Sequence, residues 1–403
     1  MPNHPKRVLT TSERRDFTLP ADKDQFPLAV TSFTPTEPAS TLAVVVLVNA
    51  TGVQARFYHA YSQFLSTRGV AAFTFDYRYC GFSFPPGWDR ERLVKDEEYY
   101  EKALLSALEE EEGGKVFDLT NTWSRVDLAT VVRLAHQSYP TLPLTLIGHS
   151  LGGHFLPLLP RSHIYGPVAK VSRIMNVCGG NAHWRNHEDP ETSRFGFEEL
   201  VFKTLHEEKI FRASTLGLGY DLPFGPGKEW IEWYNHPHFS LNRVQDLRLA
   251  RELLGVEYLY LGFEDDESIS KRMMTQYLGM LNHSDGMKRS LWLDPKRRRP
   301  VWPSCGHVNA FAKTKSSENR PVPNGEGYEP SMGTEAEGVE SEESELTREE
   351  TIWELMLSYV LGEDLEVGEG DEYKTWTVKD ERDVLPPLPS LEWNRGGLAV
   401  PYH

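Results

Sequence analysis

One ten-residue stretch restricts the possible folds of this chain more than any other. An apolar run of strand length, Leu144–Ile147, leads directly into Gly-His-Ser-Leu-Gly at 148–152, and a segment of helix length follows. This G-x-S-x-G pattern is typical of a nucleophile elbow, where a serine occupies a sharp turn from a strand into a helix. So tight a turn leaves no room for neighbouring Cβ atoms, which explains the glycines. The predicted elbow comprises Gly148, His149, the nucleophile Ser150, and Gly152.

The rest of the chain alternates between strand and helix patterns. Leu42–Val48 is a nearly continuous β-branched run, as expected of a strand buried on both faces of a parallel sheet. Ala55–Arg68 has apolar residues at helical spacing, and Ala71–Phe75 is again a strand pattern. Further strands are predicted at Val171–Cys178 and Val256–Phe263. This order predicts an α/β fold with a mostly parallel, doubly wound sheet.

Changes in composition divide the chain into parts. The predicted parts are an N-terminal extension (1–25), a core (26–312) with a lid inserted at about 181–250, a disordered acidic insertion (313–346), a final core helix (347–362) and an extended C-terminal tail (363–403). The lid is rich in aromatic residues, and we expect it to shape an apolar pocket over the carboxyl ends of the strands. A further insertion is predicted to form one charged, solvated helix at Leu93–Glu111.

Composition also limits the partners. With a net charge of −16 in 403 residues, the chain is not expected to bind nucleic acid. No apolar stretch is long enough to span a membrane and no signal core precedes the fold, so we expect no stable membrane insertion and a cytoplasmic location. The cysteines show no metal spacing, so we predict neither metal nor cofactor. The acidic segment 313–346 is a possible site for a protein partner.

A serine nucleophile needs a base to accept its proton and an acid to orient that base. In the architecture predicted here the acid follows the serine along the chain, and the histidine follows the acid. Asp265 and Asp266 come directly after a predicted strand, and His307 follows about 41 residues later. These residues are the candidate partners of Ser150, and both aspartates remain open as the acid.

Two backbone N–H groups are expected to stabilise the oxyanion that forms during acyl transfer. One is that of Leu151, which directly follows the nucleophile. The second is expected from the loop after the strand ending at Val48, at Thr51, Gly52 or Val53.

These features together resemble the α/β-hydrolase superfamily, and more narrowly its serine aminopeptidase-like or monoacylglycerol-lipase-like predicted hydrolases. The matching residues are Ala50-Thr51-Gly52-Val53, Phe57-Tyr58, Asp76-Tyr77-Arg78, Gly81, Ser83, Trp123, Asp127-Leu128, Gly148–Gly153, Trp230, Trp233, His236-Pro237, Asp265-Asp266-Glu267, Gly306-His307, Phe311 and Ile352-Trp353. The resemblance covers about residues 26–312 and 350–362, and it implies hydrolysis of an ester, thioester or amide. It favours Asp266 over Asp265 as the acid. Tyr79-Cys80 departs from the usual small residues of the entrance loop.

The sequence therefore predicts a serine hydrolase that acts on a small, apolar acyl substrate through an acyl-enzyme. Two alternatives remain. An acyltransferase would use the same triad with an alcohol or amine in place of water. A non-catalytic binding protein would retain the fold alone, although such proteins usually lose a member of the triad.

Overall fold

A nine-stranded sheet runs through the described part of the chain in the computed structural model. Its strand order is β1-β2-β4-β3-β5-β6-β9-β10-β11. Within this sheet β4, β3, β5, β6, β9 and β10 pair in parallel, whereas β1, β2 and β11 join the two edges in antiparallel fashion. The strands are β1 Ser12–Pro20, β2 Pro27–Pro35, β3 Ala43–Val48, β4 Val70–Phe75, β5 Leu144–His149, β6 Arg173–Val177, β7 Ile210–Phe211, β8 Leu222–Pro223, β9 Glu257–Phe263, β10 Lys288–Leu293 and β11 Glu372–Thr375.

Helices connect the parallel strands and confirm the predicted doubly wound α/β architecture. The α-helices are α1 His59–Ser66, α2 Arg90–Lys95, α3 Glu97–Leu105, α4 Ala107–Glu112, α5 Ala129–Ser138, α6 Leu151–Phe155, α7 Arg161–Ile164, α8 Pro190–Phe197, α9 Lys203–Glu208, α10 Phe224–Tyr234, α11 Lys271–Met280 and α12 Arg348–Leu361. A π-helix, Leu119–Leu128, leads into α5. The structure describes residues 9–112, 117–242, 255–281, 287–297, 305–312, 348–365, 367 and 371–376. The acidic segment predicted at 313–346 lies outside them.

The central strand β3 shows why the sheet is buried on both faces. Val44, Val46 and Val48 belong to the apolar core on one side of the sheet. Val45 and Leu47 alternate with them and belong to the core on the other side. Because successive side chains of a strand point to opposite faces, a continuous apolar run suits a strand that is covered on both sides.

Two predicted boundaries differ from the structure. Residues 1–25 were expected to be an extension, but they contain β1, which pairs with β2 along its full length. Most side chains of β1 are at least partly exposed, so its sequence has no apolar face that would identify a strand. At the other end, β11 lies within the predicted tail 363–403 and pairs with β10.

The charged insertion, residues 90–112, forms three short helices rather than the single solvated helix that was predicted. Asp96 separates the first two, because its extended backbone ends α2 and its side chain accepts the N–H of Tyr99 to cap α3. Leu93, Tyr100 and Leu104 are buried in the main core. The insertion therefore packs against the protein through an apolar face and exposes its charges on the other.

The lid consists mainly of α8, α9 and α10 with the small β7–β8 hairpin. Many of its aromatic side chains pack against one another, and Phe197 stacks on Tyr234 with ring centroids 3.8 Å apart. Trp233 and Phe239 are buried, whereas Phe195 is 67% exposed. Much of the aromatic content therefore builds the core of the lid itself. In the described part of the chain, no helix is both long enough and apolar enough to span a bilayer.

A buried ion pair fixes the loop after β4. Arg78 lies 2.7 Å from Asp127 of the π-helix, and the side chains of this pair are 3% and 0% exposed. Asp24 lies 2.6 Å from the same guanidinium, and the backbone N–H of Arg78 also donates to Asp127. Removing one partner of a buried pair leaves the other charge without compensation.

We expect Asp127→Ala to lower the free energy of unfolding by about 3–5 kcal/mol, because Arg78 would keep its buried charge without its main partner. Urea denaturation measures this change. Glu91→Ala is the matched control, since Glu91 pairs with Lys95 at a site where both side chains are largely exposed. The control should leave the unfolding midpoint unchanged. A midpoint for Asp127→Ala equal to that of the wild type would show that the buried pair contributes no net stability.

Candidate active site

Ser150 lies on the sharp turn between β5 and α6. Its backbone has φ 50° and ψ −113°, a conformation that residues with a side chain rarely adopt. The N–H of Ser150 donates to the carbonyl of Val177 on the neighbouring strand β6 at 2.8 Å, which helps to hold the strained turn. Such strain is found where the surrounding structure imposes it, often at functional sites.

The glycines on either side of Ser150 are required by close backbone contacts. A Cβ atom on Gly152 would lie 2.1 Å from the carbonyl oxygen of Val48, and one on Gly148 would lie 2.6 Å from the Cα of Gly153. Real Cβ atoms essentially never approach other atoms so closely. The glycines of the predicted elbow therefore let α6 approach β3 and β5.

The structure brings Ser150, His307 and Asp266 into one hydrogen-bonded chain. The Oγ of Ser150 lies 2.8 Å from Nε2 of His307. The Nδ1 of His307 lies 2.9 Å from Oδ2 and 3.1 Å from Oδ1 of Asp266. With Nδ1–H donating to the carboxylate, Nε2 carries the lone pair that can accept the hydroxyl proton of the serine.

Asp266 is held as a carboxylate even though only 1% of its side chain is exposed. Burial by itself would raise the pKa of Asp266. His307 and the N–H groups of Ile269 and Ser268 outweigh that effect, so the pKa lies below its ordinary value. Those N–H groups donate to Oδ1 at 2.9 and 2.8 Å. The carboxylate is therefore oriented from two sides and ionised at neutral pH.

Asp265, the other candidate acid, serves a different contact. Its Oδ2 accepts the N–H of Cys305 at 2.8 Å, at the start of the histidine loop, residues 305–312. At the far end of that loop, Trp353 of α12 donates its indole N–H to the carbonyl of Ala310 at 3.0 Å. Asp265 thus holds the loop that carries His307, and Asp266 contacts the imidazole itself.

The oxyanion loop, residues 50–53, forms a tight turn beside the elbow. The N–H of Val53 donates to the carbonyl of Ala50 at 3.1 Å, and Gly52 has the positive φ of 65° that a type II turn requires at its third position. No described residue accepts a hydrogen bond from the N–H of Thr51, Gly52 or Leu151. Val53, the remaining predicted donor, has its N–H engaged within the turn and is not available to an oxyanion.

His149, predicted only as an elbow residue, also connects the two loops. Its Nε2 lies 2.7 Å from the carbonyl oxygen of His307, and its Nδ1 lies 2.9 Å from the hydroxyl of Tyr58. Burial lowers the pKa of His149 to about 3, so the ring is neutral. Because a carbonyl only accepts, Nε2 carries the proton and Nδ1 accepts from Tyr58. Tyr58 in turn accepts the N–H of Ala50 at 2.9 Å.

One group of side chains in the described residues has donor atoms close enough together to be considered as metal ligands. These atoms belong to Cys178, Asp266 and His307 and lie within 4.8 Å of one another. Burial raises the pKa of the Cys178 thiol well above its ordinary value, and thiols bind metals as thiolates. The Nδ1 of His307 already faces Asp266. This donor set therefore does not fit a metal ion.

A family model described as "Alpha/beta hydrolase family" matches residues 45–313. A search of curated proteins finds no match. Among solved structures, a soluble variant of monoglyceride lipase from Saccharomyces cerevisiae is similar at 13% identity, over 73% of this chain and 89% of the other, with a TM-score of 0.44.

A cold-adapted esterase from an Arctic intertidal metagenomic library is similar at 14% identity over 70% and 85% of the two chains, with a TM-score of 0.39. The acylaminoacyl peptidase of Pyrococcus horikoshii is similar at 11% identity over 75% and 38%, with a TM-score of 0.41. At these low identities and TM-scores, the similarities carry no argument about activity.

Proposed function

The chain belongs to the alpha/beta hydrolase family, and we propose that it is a serine hydrolase that cleaves an acyl ester, thioester or amide through an acyl-enzyme. The observation that carries this proposal is the chain of hydrogen bonds from Ser150 through His307 to Asp266. A hydroxyl, an imidazole with a free lone pair and an ionised carboxylate in that order are the parts that nucleophilic acyl transfer needs.

In the acylation step, Oγ of Ser150 attacks the carbonyl carbon while Nε2 of His307 takes the hydroxyl proton. The carbonyl π electrons move to oxygen, where the N–H groups of Leu151 and of Thr51 or Gly52 stabilise the negative charge. The tetrahedral intermediate then collapses and breaks the bond to the alcohol, thiol or amine, which leaves with the proton from Nε2. Asp266 stabilises the imidazolium that exists between these events.

Deacylation repeats the sequence with water. The water oxygen attacks the acyl carbon while Nε2 of His307 takes a proton from that water. The second tetrahedral intermediate then breaks its bond to Oγ of Ser150. The proton returns to Oγ from Nε2, which restores the free enzyme and releases the carboxylic acid.

An apolar acyl group is the proposed substrate class. The aromatic composition of the lid supports this proposal. Tyr220, Phe224 and Trp230 pack against the core but stay partly exposed, so part of each aromatic side chain remains free to contact a substrate. Apolar and aromatic side chains dominate the lining of small-molecule sites. A series of p-nitrophenyl esters from acetate to decanoate tests this, with kcat/KM expected to rise with acyl length until the pocket is filled.

Labelling with a fluorophosphonate probe tests the mechanism. We expect stoichiometric modification of Ser150, mapped by mass spectrometry, because only an activated serine reacts readily with such a probe. His307→Ala should lose the modification, since no base would remain to take the hydroxyl proton. Heat-denatured protein is the control and should stay unlabelled. Folded wild-type protein that remains unlabelled, or is modified at another residue, would contradict the proposal.

A further inference from the structure

The charged insertion, residues 90–112, contacts the lid rather than only the core. The hydroxyl of Tyr100 donates to the carbonyl of Asp221 at 3.1 Å. Tyr100 is 6% exposed and Leu104 is 1% exposed, so this face of α3 is buried. Asp221 ends the lid turn, which we define as residues 217–221. The insertion and the lid turn therefore share a buried contact.

Ionic contacts of Arg212 reinforce this junction. Its guanidinium lies 2.9 Å from the carboxylate of Asp221 and also pairs with Glu101 of the insertion. The side chains of Arg212 and Asp221 are only 19% and 10% exposed. Asp221 additionally accepts the N–H and hydroxyl of Ser214 at 3.0 and 2.7 Å. Charges that are shielded from water interact more strongly than surface pairs, so this cluster ties α3 firmly to the lid turn.

The lid turn in turn lies directly against the oxyanion loop. The N–H of Tyr220 donates to the carbonyl of Gly52 at 2.8 Å, and Arg56 donates to the hydroxyl of Tyr220 at 2.5 Å. A Cβ atom on Gly52 would lie 2.5 Å from the carbonyl oxygen of Tyr220. One on Gly219 would lie 2.5 Å from the carbonyl oxygen of Gly52. Two glycines thus allow the backbones of the lid turn and the oxyanion loop to touch.

These contacts fix one peptide plane. The carbonyl of Gly52 is held by Tyr220 and the N–H of Val53 is held by Ala50, so the peptide unit between Gly52 and Val53 cannot rotate. The carbonyl of Ala50 belongs to the same peptide unit as the N–H of Thr51, so its bond to Val53 also holds the direction of that N–H. The N–H of Gly52 lies between these two held peptide units. Donors to an oxyanion stabilise it best when they are oriented before the charge develops.

We infer that the insertion acts through the lid turn to position the oxyanion loop. Arg212 is the positioning residue, Glu101 and Asp221 are its ionic partners, and Tyr220 transmits the contact to Gly52. The inference rests on the proposed function and extends it: the lid turn holds the oxyanion loop in place, so the position of the lid and transition-state stabilisation are coupled. Tyr100 and Glu101 of the insertion contribute to the rate without touching the substrate.

Arg212→Gln tests this inference with p-nitrophenyl butyrate as the probe substrate. We expect kcat to fall about 10- to 100-fold, approaching the loss of one oxyanion donor, while KM changes less than about twofold. The inhibition constant of a trifluoromethyl ketone with the same propyl chain should rise in proportion, because its hemiketal places a negative oxygen in the hole. Arg212→Lys should restore part of the rate, since an ammonium can still pair with Asp221.

Two further variants keep the test decisive if Arg212→Gln fails to fold. Glu101→Gln leaves Arg212 paired with Asp221 and should lower kcat in the same direction but less. Lys102→Gln is the matched control, because Lys102 lies on the same helix and its partner Glu98 is exposed to solvent. It should retain wild-type kcat and inhibition.

Unchanged kcat and ketone inhibition in folded Arg212→Gln and Glu101→Gln would overturn the inference. A rise in KM alone would also overturn it, because that would assign the cluster to substrate binding. Fluorophosphonate labelling of wild-type Ser150 separates this failure from failure of the proposed function: if the wild type is labelled, only the positioning role is lost.

Discussion

Ser150→Ala is expected to lower kcat by about 10⁵- to 10⁶-fold, because no other group replaces the attacking hydroxyl. The fold should persist. Alanine meets the same strain at the positive φ of the elbow as serine does, and among the described residues the side chain of Ser150 has one hydrogen bond, to His307. Turnover of p-nitrophenyl butyrate and the thermal unfolding midpoint measure the two effects separately.

Ser138→Ala is the matched control for this variant. Ser138 ends α5, is exposed, and donates to the carbonyl of Leu134 in its own helix. It should retain both activity and melting temperature. Substantial turnover by Ser150→Ala, after removal of contaminating esterases, would place the nucleophile at another residue and refute the mechanism.

Asp266→Asn is expected to lower kcat by about 10⁴-fold. The amide that replaces the carboxylate would present its NH₂ group to Nδ1 of His307 and favour the tautomer that carries the proton on Nε2. That tautomer cannot accept the proton of Ser150. The variant also removes the negative charge that stabilises the imidazolium. Steady-state kinetics with p-nitrophenyl butyrate gives the loss directly.

The loss of kcat in Asp266→Asn is best compared with that in the neighbouring Asp265→Asn variant. Its amide oxygen can still accept the N–H of Cys305, so the histidine loop should stay in place and kcat should fall far less than in Asp266→Asn. A larger loss in Asp265→Asn than in Asp266→Asn would reverse the assignment of the acid.

The sequence was sufficient to predict the sharp strand-to-helix turn at Ser150 and the parallel sheet, because both depend on local signals. Gly148 and Gly152 mark a turn too tight for side chains, and the β-branched run of β3 marks a strand buried on both faces. The local sequence pattern could not decide between Asp265 and Asp266 as the acid, since both follow the same strand. Their difference depends on which carboxylate meets His307, a contact across 41 positions of the chain.

The charged insertion, residues 90–112, is a second feature that the sequence did not predict correctly. Its charges suggested one solvated helix, and only the spacing of Tyr100 and Leu104 indicated an apolar face. The extended backbone of Asp96, which breaks the helix, has no strong signal in the sequence. The ion pair between Arg212 and Glu101 joins segments 111 positions apart, and the periodicity of a sequence contains no information about such a pairing.

The bond from Trp353 to Ala310 affects how much of the chain is needed to hold the histidine loop. The family match stops at residue 313, yet the indole that steadies the histidine loop belongs to α12, which runs to Leu361. A fragment ending at residue 313 would contain Ser150, Asp266 and His307 but would lack the helix whose indole holds the histidine loop. We therefore expect that a fragment which retains the geometry of the histidine loop must extend to Leu361, about fifty residues beyond the family match.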